Sequence, residues 1–346
     1  MKLGLVLGYS GAGMKLDIEL VKEAESLGFS SVWTSEAYGS DAISPAAWVL
    51  AQTSRIDVGT AIIQIPARTP ACAAMTAMTL HALSGGRFIL GVGPSGPQVV
   101  EGWHGVPYGK PLARTREYIA IVRKVLARQE PLTHDGEHYQ IPYRGPGASG
   151  LGKPLKSIMH GDPRLRIYTA TIAPKGIETG AEVADGMFPF IMNPERFDLM
   201  EAPLKAGFAK AGGGKGLDRF AICPFVQVRL EADLAKARIG VKEHLALYIG
   251  GMGAREKNFY NDQAKRLGYE GAAADIQNHF LAGRRAEAVA AVPDKLVDEV
   301  ALVGPKERIV ERMARWKAAA AKRHVDTLLM AGGTRESLRV LAEAAL

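Results

Sequence analysis

The chain has 346 residues, 47% hydrophobic and 23% charged, with a formal net charge of +7. That profile belongs to an ordinary globular protein with enough chain for one large barrel or two domains. No apolar run approaches the roughly 20 residues of a membrane helix. Two cysteines exclude a disulfide framework, and the basic residues are scattered without a nucleic-acid motif.

Residues 2–9 form a β-like apolar run, which reads as a first strand and not as a signal peptide; a cytoplasmic protein is expected. Residues 16–27 carry Ile18, Val21, Ala24 and Leu27 at helical spacing and stop at Gly28. A strand is predicted at 30–35 and a helix at 44–54, with Pro45 in its first turn. A strand at 57–65, a helix at 70–83 and a strand at 87–93 follow. Four strand–helix units in a row predict a parallel sheet. Their connections are short at one end of the strands and longer at the carboxyl ends, as in a barrel whose site lies on the carboxyl face.

Residues 94–112 read as a Gly- and Pro-rich loop. A helix at 114–128 turns Ile119, Val122, Val125 and Leu126 inward. Residues 133–163 are irregular, giving an insertion at about 129–163 in which 144–154 is a candidate lid. Strands at 165–171, 186–191, 220–230 and 324–331 alternate with helices at 173–184, 194–211 and 334–346. The largely helical stretch 231–315 is too long for one barrel helix and defines a second insertion at about 232–320. Eight strands predict a single α/β domain over 1–346, a (β/α)8 barrel. A doubly wound sheet is the alternative, but no GxGxxG follows the first strand.

Several residues could carry chemistry. Thr169-Ala170-Thr171-Ile172-Ala173-Pro174-Lys175-Gly176 is a strand end feeding a helix. Helix N-terminal amides attract anions, and Thr171 adds a hydroxyl and Lys175 a charge; a plain helix start is the other reading. Gly91-Val92-Gly93-Pro94-Ser95 ends a strand with glycines that permit close approach of a flat ring. Glu36 ends the second strand, on the face where barrel sites lie. Arg68 and Arg114 are candidates to pair with ligand carboxylates or with neighbouring side chains. Cys72 and Cys223 are expected to be buried and reduced. His134 and His138 have metal-like spacing across Gly136, but no metal site is expected. No Gly-x-Ser-x-Gly, P-loop or HExxH is present, so hydrolase and nucleotide-triphosphatase readings have no foothold.

Five stretches occur in an order that resembles one family. They are Gly4–Tyr9, Glu23–Glu36 (with Leu27-Gly28-Phe29 and Val32-Trp33), Asp57–Ile65 followed by Arg68-Thr69-Pro70-Ala71, Leu83–Gly93 (with Ser84-Gly85-Gly86-Arg87-Phe88), and Gly180–Gly186. Together they resemble the luciferase-like flavin and deazaflavin oxidoreductases, which include methylenetetrahydromethanopterin reductase. Ser35–Asp41, Ser95–Trp103, Lys110–Tyr118 and Tyr248–Ala254 are similar to the actinobacterial branch that uses coenzyme F-420.

The resemblance implies a luciferase-like barrel, usually a homodimer, that transfers a hydride between F-420 and a small organic substrate. It implies a non-proline cis peptide between Ala61 and Ile62 that presses backbone against one face of the cofactor ring. Glu36, Gln64, Gly93 and Ser95 would complete the ring site. Thr169, Thr171, Ala173, Pro174, Lys175 and Gly176 would form the phosphate turn. Two departures limit the transfer of roles. Many deazaflavin relatives carry Asp-His where this chain has Glu36-Ala37, and the sugar-phosphate dehydrogenases carry a Glu near the position of Gly96. A glucose 6-phosphate substrate is therefore disfavoured, and the proton donor or acceptor stays open among Glu36, Tyr38, Glu101 and His104. An FMN-dependent monooxygenase and a non-catalytic flavin- or deazaflavin-binding protein are the alternatives.

Overall fold

The computed structural model describes residues 1–8 and 11–346; Tyr9, read above as the end of the first strand, lies outside them. Among the described residues, eight parallel strands build the barrel. These are β1 (Lys2–Val6), β2 (Ser31–Thr34), β3 (Asp57–Thr60, resuming at Ile63–Gln64), β4 (Phe88–Gly93), β5 (Ile167–Ala170), β6 (Gly186–Phe188), β7 (Ala221–Ile222, resuming at Phe225–Leu230) and β8 (Thr327–Ala331). Neighbours in sequence pair in parallel from β1 through β6, and β1 also pairs with β8. The broken strand β7 closes the ring, its first part pairing with β6 and its second with β8. The fold is a (β/α)8 barrel.

The strands are legible because each is an apolar run covered on both faces, as parallel strands require. All six residues of β4 are buried. The side chains inside the barrel form a plug: Trp33 meets Phe188 edge-on at 5.0 Å and stacks on Tyr168 at 5.7 Å. Ala61, Ile89, Cys223 and Leu329 complete that layer. Outside the sheet, the barrel helices bury a second, larger layer that includes Ile309, Met313 and Trp316 of helix Lys306–Ala321.

The helices between 234 and 300 gather around a core of their own, with Val241, Leu245, Ile249, Ile276, Leu296 and Val297 inside. Helix Leu234–Ala246 runs into a π-helical turn, Leu247–Gly251. Asn258 secures that turn: its Nδ2 donates to the carbonyls of Tyr248 (3.1 Å) and Ile249 (3.0 Å). Its Oδ1 meanwhile caps helix Phe259–Arg266 by accepting from the Tyr260 and Asn261 amides.

Four local expectations change. The loop at 94–112 contains a short helix, Pro97–Gly102, seeded by a proline in its first turn. Residues His134–Asp135 and Gln140–Ile141 pair as a small antiparallel ribbon within the irregular insertion. Leu302–Gly304 is a strand along the outer end of β7, too short to show a period in sequence. Cys72 is exposed: helix Pro70–Leu83 buries the face bearing Ala73, Ala77, Leu80, Ala74 and Met78, and Cys72 lies off it, whereas Cys223 is buried as expected. No helix among the described residues is long and apolar enough to cross a membrane.

Candidate active site

A cleft of about 840 Å³ opens at the carboxyl ends of the strands, over the aromatic plug. One wall is the interruption of β3. The Ala61–Ile62 peptide bond is cis. The chain around it is held from three sides. The Ala61 amide donates to the Thr34 carbonyl, the Ser35 hydroxyl donates to the Ala61 carbonyl at 3.0 Å, and Thr60 and Gly91 exchange hydrogen bonds at 2.8 and 2.9 Å through the Thr60 hydroxyl. Gly91 is obligatory, because a Cβ there would sit 1.7 Å from the Thr60 carbonyl oxygen. Gly93 leaves room for the Ile62 side chain, whose carbons would lie 3.0 Å from a Cβ. Ala61, Ile62, Gln64, Gly93 and Ser95 all line the cleft.

Glu36 is 7% exposed and its carboxylate is saturated. Oε1 accepts from the Gln64 amide (2.7 Å) and Arg68 (2.8 Å), and Oε2 accepts from the Ala42 amide (3.0 Å) and Arg68 (2.9 Å). A carboxylate whose lone-pair directions are filled by donors anchors the chain around it. Arg68, open in sequence between ligand carboxylates and neighbouring side chains, takes the second course: it is committed to this pair and approaches Asp41 at 3.7 Å. Arg114 donates to the Pro107 carbonyl, fixing the loop beside it.

A hydrogen-bond chain runs from behind the wall into the cleft. His104 Nε2 lies 2.6 Å from Gln64 Oε1, and Gln64 Nε2 donates to Ser95 Oγ at 3.1 Å. With the Gln64 amide oriented this way, His104 carries its proton on Nε2 and Ser95 keeps its own hydroxyl proton for the cleft. Ser95 sits at φ 62°, which turns it out of the strand direction. His104 and Glu101 are not among the residues that line the cleft; Glu101 is exposed and accepts from the Tyr108 amide at 3.1 Å. Tyr38 lines the rim and is 63% exposed.

The strand-to-helix turn after β5 lies beside the end of β4, where Val92 pairs with Thr169. Thr171 and Ile172 line the cleft, while Thr169 is buried beneath. Helix Pro174–Val183 starts at Ala173 without a side-chain cap, so its first-turn amides, those of Lys175 and Gly176, face outward from the helix end. The Lys175 ammonium is turned to Glu178 at 2.8 Å. Lys175 and Lys210 hold the Glu178 carboxyl down at about 2. Residues 144–154, the candidate lid, are not among those that line the cleft. His134 pairs with Glu117 at 3.2 Å, and the described residues contain no cluster able to hold a metal ion.

Further lining comes from residues to which the sequence reading gave no role in the site. Phe190 follows β6, Phe225 and Gln227 sit on β7, and His244, Tyr248 and Tyr260 come from the helical insertion. The available clue was Val241, His244, Leu245 and Tyr248, an i, i+3, i+4, i+7 stripe that marks one helix face. Ser35, which holds the Ala61 carbonyl, was also missed.

The residues present suit a flat, anionic cofactor. Backbone and the Ile62 side chain form the wall at Ala61–Ile62 and Gly93, the Ser95 hydroxyl stands beside it, and the uncapped helix start follows the neighbouring strand β5. The sequence model of the luciferase-like monooxygenases matches residues 7–323. A Mycobacterium tuberculosis protein whose name assigns it as a coenzyme F-420-dependent oxidoreductase is 46% identical over 344 residues, spanning 99% of this chain and 98% of that one. The 5,10-methylenetetrahydromethanopterin reductase of Archaeoglobus fulgidus is 26% identical, spanning 93% and 92%. The solved F-420-dependent tetrahydromethanopterin reductase of Methanopyrus kandleri superposes with a TM-score of 0.79 at 19% identity, covering 99% and 97%. The chain belongs to the luciferase-like monooxygenase family.

Proposed function

We propose that this protein is an oxidoreductase that uses coenzyme F-420 to transfer a hydride to or from a small organic substrate. The observation that carries this reading is the cleft itself, about 840 Å³, lined both by Ala61, Ile62 and Gly93 and by the aromatic residues Phe190, Phe225, Tyr248 and Tyr260. The choice of F-420 over FMN rests on the full-length relative that is 46% identical and bears that cofactor in its name.

In this reading the bound deazaflavin supplies the two-electron chemistry, and the chain supplies orientation and exclusion of water. Ala61, Ile62 and Gly93 back the ring, Ser95 donates to its polar edge, and Gln64 and His104 orient Ser95. Glu36 and Arg68 hold the Gln64 backbone in place. The uncapped helix start at Ala173–Gly176, with Thr171, takes the phosphate. Thr169 supports this turn from below, and Lys175 contributes long-range charge. The chain acts as one barrel unit with two insertions, as a cytoplasmic homodimer without a nucleic-acid partner.

The test is anaerobic turnover. With F-420 and a panel of alcohols, aldehydes, enones and imines, the protein should change the oxidation state of the cofactor with at least one substrate class. Oxygen-dependent turnover with reduced FMN and none with F-420 would mean a monooxygenase. Binding of F-420 without turnover of any class would mean a carrier.

A further inference from the structure

Residues 144–154, which the sequence marks as a candidate lid, belong to an arm that the cleft does not use. The arm joins the end of helix Pro111–Ala127 to the start of β5, at the amino ends of the strands, and none of residues 139–161 lines the cleft. Its base is clipped to the barrel. The Leu132 amide donates to the Leu155 carbonyl at 2.8 Å, and Arg128 Nε donates to the Ser157 carbonyl at 2.6 Å.

What the arm shows to solvent is apolar. Ile158 is 95% exposed, Leu151 86%, Leu155 69% and Tyr143 57%. No helix or strand forms over 142–161 to turn these side chains inward. Single exposed leucines are ordinary on a protein surface, but a run of large apolar side chains held outward in one short segment marks a surface that meets something.

The charge of the arm is one-sided. Between Tyr139 and Gly161 the chain has Arg144, Lys153 and Lys156 and no Asp or Glu. The carboxylates that flank this stretch in sequence, Glu137 and Asp162, are paired with Lys110 at 2.8 Å and with Arg164 at 3.0 Å. The lysines alternate with the apolar residues along Leu151-Gly152-Lys153-Pro154-Leu155-Lys156-Ser157-Ile158. Protein–protein interfaces are depleted of lysine, and a second copy of this chain, with its own net charge of +7, brings no complementary charge. An anionic lipid surface suits the mixture. Leucine and isoleucine reach the acyl boundary, while lysine stems lie along apolar surface and keep their ammoniums among the lipid phosphates. An irregular backbone is tolerated there because it stays at headgroup depth, where water satisfies it.

We infer that residues 143–159 form a docking arm for an anionic lipid surface. Leu151, Leu155 and Ile158 enter the boundary between headgroups and acyl chains, and Tyr143 lies at headgroup level. Arg144, Lys153 and Lys156 meet the lipid phosphates; Lys156 also donates to the Gln129 carbonyl, which holds its stem against the base of the arm. The cleft, at the other end of the barrel, stays open to water. The inference does not rest on the oxidoreductase reading.

The test is co-sedimentation of the full chain with two kinds of vesicle, phosphatidylcholine alone and phosphatidylcholine with about 30% phosphatidylglycerol, at about 0.1 M salt. Partition onto the anionic vesicles should be at least about tenfold stronger than onto the neutral ones. The double variant Leu151→Asp, Ile158→Asp should weaken it at least about tenfold, and Lys153→Glu about tenfold. All three side chains are exposed, so both variants should melt at a temperature similar to wild type. Equal partition of wild type onto the two kinds of vesicle overturns the proposal, as does unchanged partition of the folded double variant. The vesicle comparison needs no variant and decides the matter if a variant fails to fold. A wild-type dimer that becomes monomeric in the double variant, with no sedimentation of wild type on anionic vesicles, assigns the arm to a second copy and also overturns the proposal.

Discussion

Two side chains fix the chemistry that the wall of the cleft can do. Glu36 and Arg68 are 18% exposed or less as side chains and satisfy each other within 2.9 Å. Removing one member of such a pair leaves the other buried and unpaired, which costs about 3–5 kcal/mol. Arg68→Met should lower the unfolding free energy by about that amount in urea titration, with a matching drop in thermal midpoint; a change below about 1 kcal/mol would show that the pair is not the anchor described. His244 links stability to pH. Burial, and then the nearby charge of Arg229, lower its folded pKa from the ordinary 6.5 to about 4, so the fold prefers the neutral ring. That contribution is complete above about pH 6.5 and is lost as the pH falls from there through about 4. Because His244 is partly exposed, the loss at pH 4 is on the order of 1–2 kcal/mol. Wild type should therefore lose that much more stability than His244→Phe between pH 7 and pH 4, measured as the difference between their urea midpoints. Parallel pH profiles would contradict the buried neutral ring.

The element that shapes the aromatic lining of the cleft is the π-helical turn Leu247–Gly251, and its shape depends on Asn258 and Asn261. The turn leaves carbonyls without helical partners; Asn258 and Asn261 donate to Tyr248 and Ile249 there, and Asn261 also ties the turn to the Ala273 carbonyl of helix Glu270–Leu281. Asn258→Ala removes two of those donors and the cap of helix Phe259–Arg266 together. It should cost about 2–3 kcal/mol in chemical denaturation and raise KM for substrate with little change in F-420 affinity. An equal loss of both affinities would show that the turn supports the whole cleft and not its aromatic half. The barrel strands and most helices were readable because their signals are local: apolar runs of four to six residues, glycine stops, prolines in first turns. The strand Leu302–Gly304 and the helix Pro97–Gly102 were not readable, because three and six residues carry no usable period. The proposed ring wall at 61–64 and 91–95 was suggested by the family resemblance of two strands that prove adjacent in the sheet. The aromatic lining was missed because Phe190, Gln227, His244 and Tyr260 come from separated segments, and nothing local says that they meet. The Glu36–Arg68 pair was missed for the same reason: each residue was noticed alone, 32 positions apart.

At the scale of the whole molecule, the barrel separates stability from function. The aromatic plug of Trp33, Tyr168 and Phe188 fills the strands below the cleft, while the groups that differ most from an ordinary core lie above it, at the carboxyl ends. Part of its lining is backbone, suited to a flat ring, and part is aromatic. The net charge of +7 fits an anionic cofactor but does not choose between F-420 and FMN, both of which carry phosphate. That choice is the central claim, and equilibrium binding tests it most directly. Titration of the cofactor-free protein with F-420 and, separately, with FMN at physiological salt should give micromolar or tighter affinity for F-420 and at least about a hundredfold weaker affinity for FMN, a difference of about 2.7 kcal/mol. Micromolar FMN binding with no measurable F-420 binding would contradict the account.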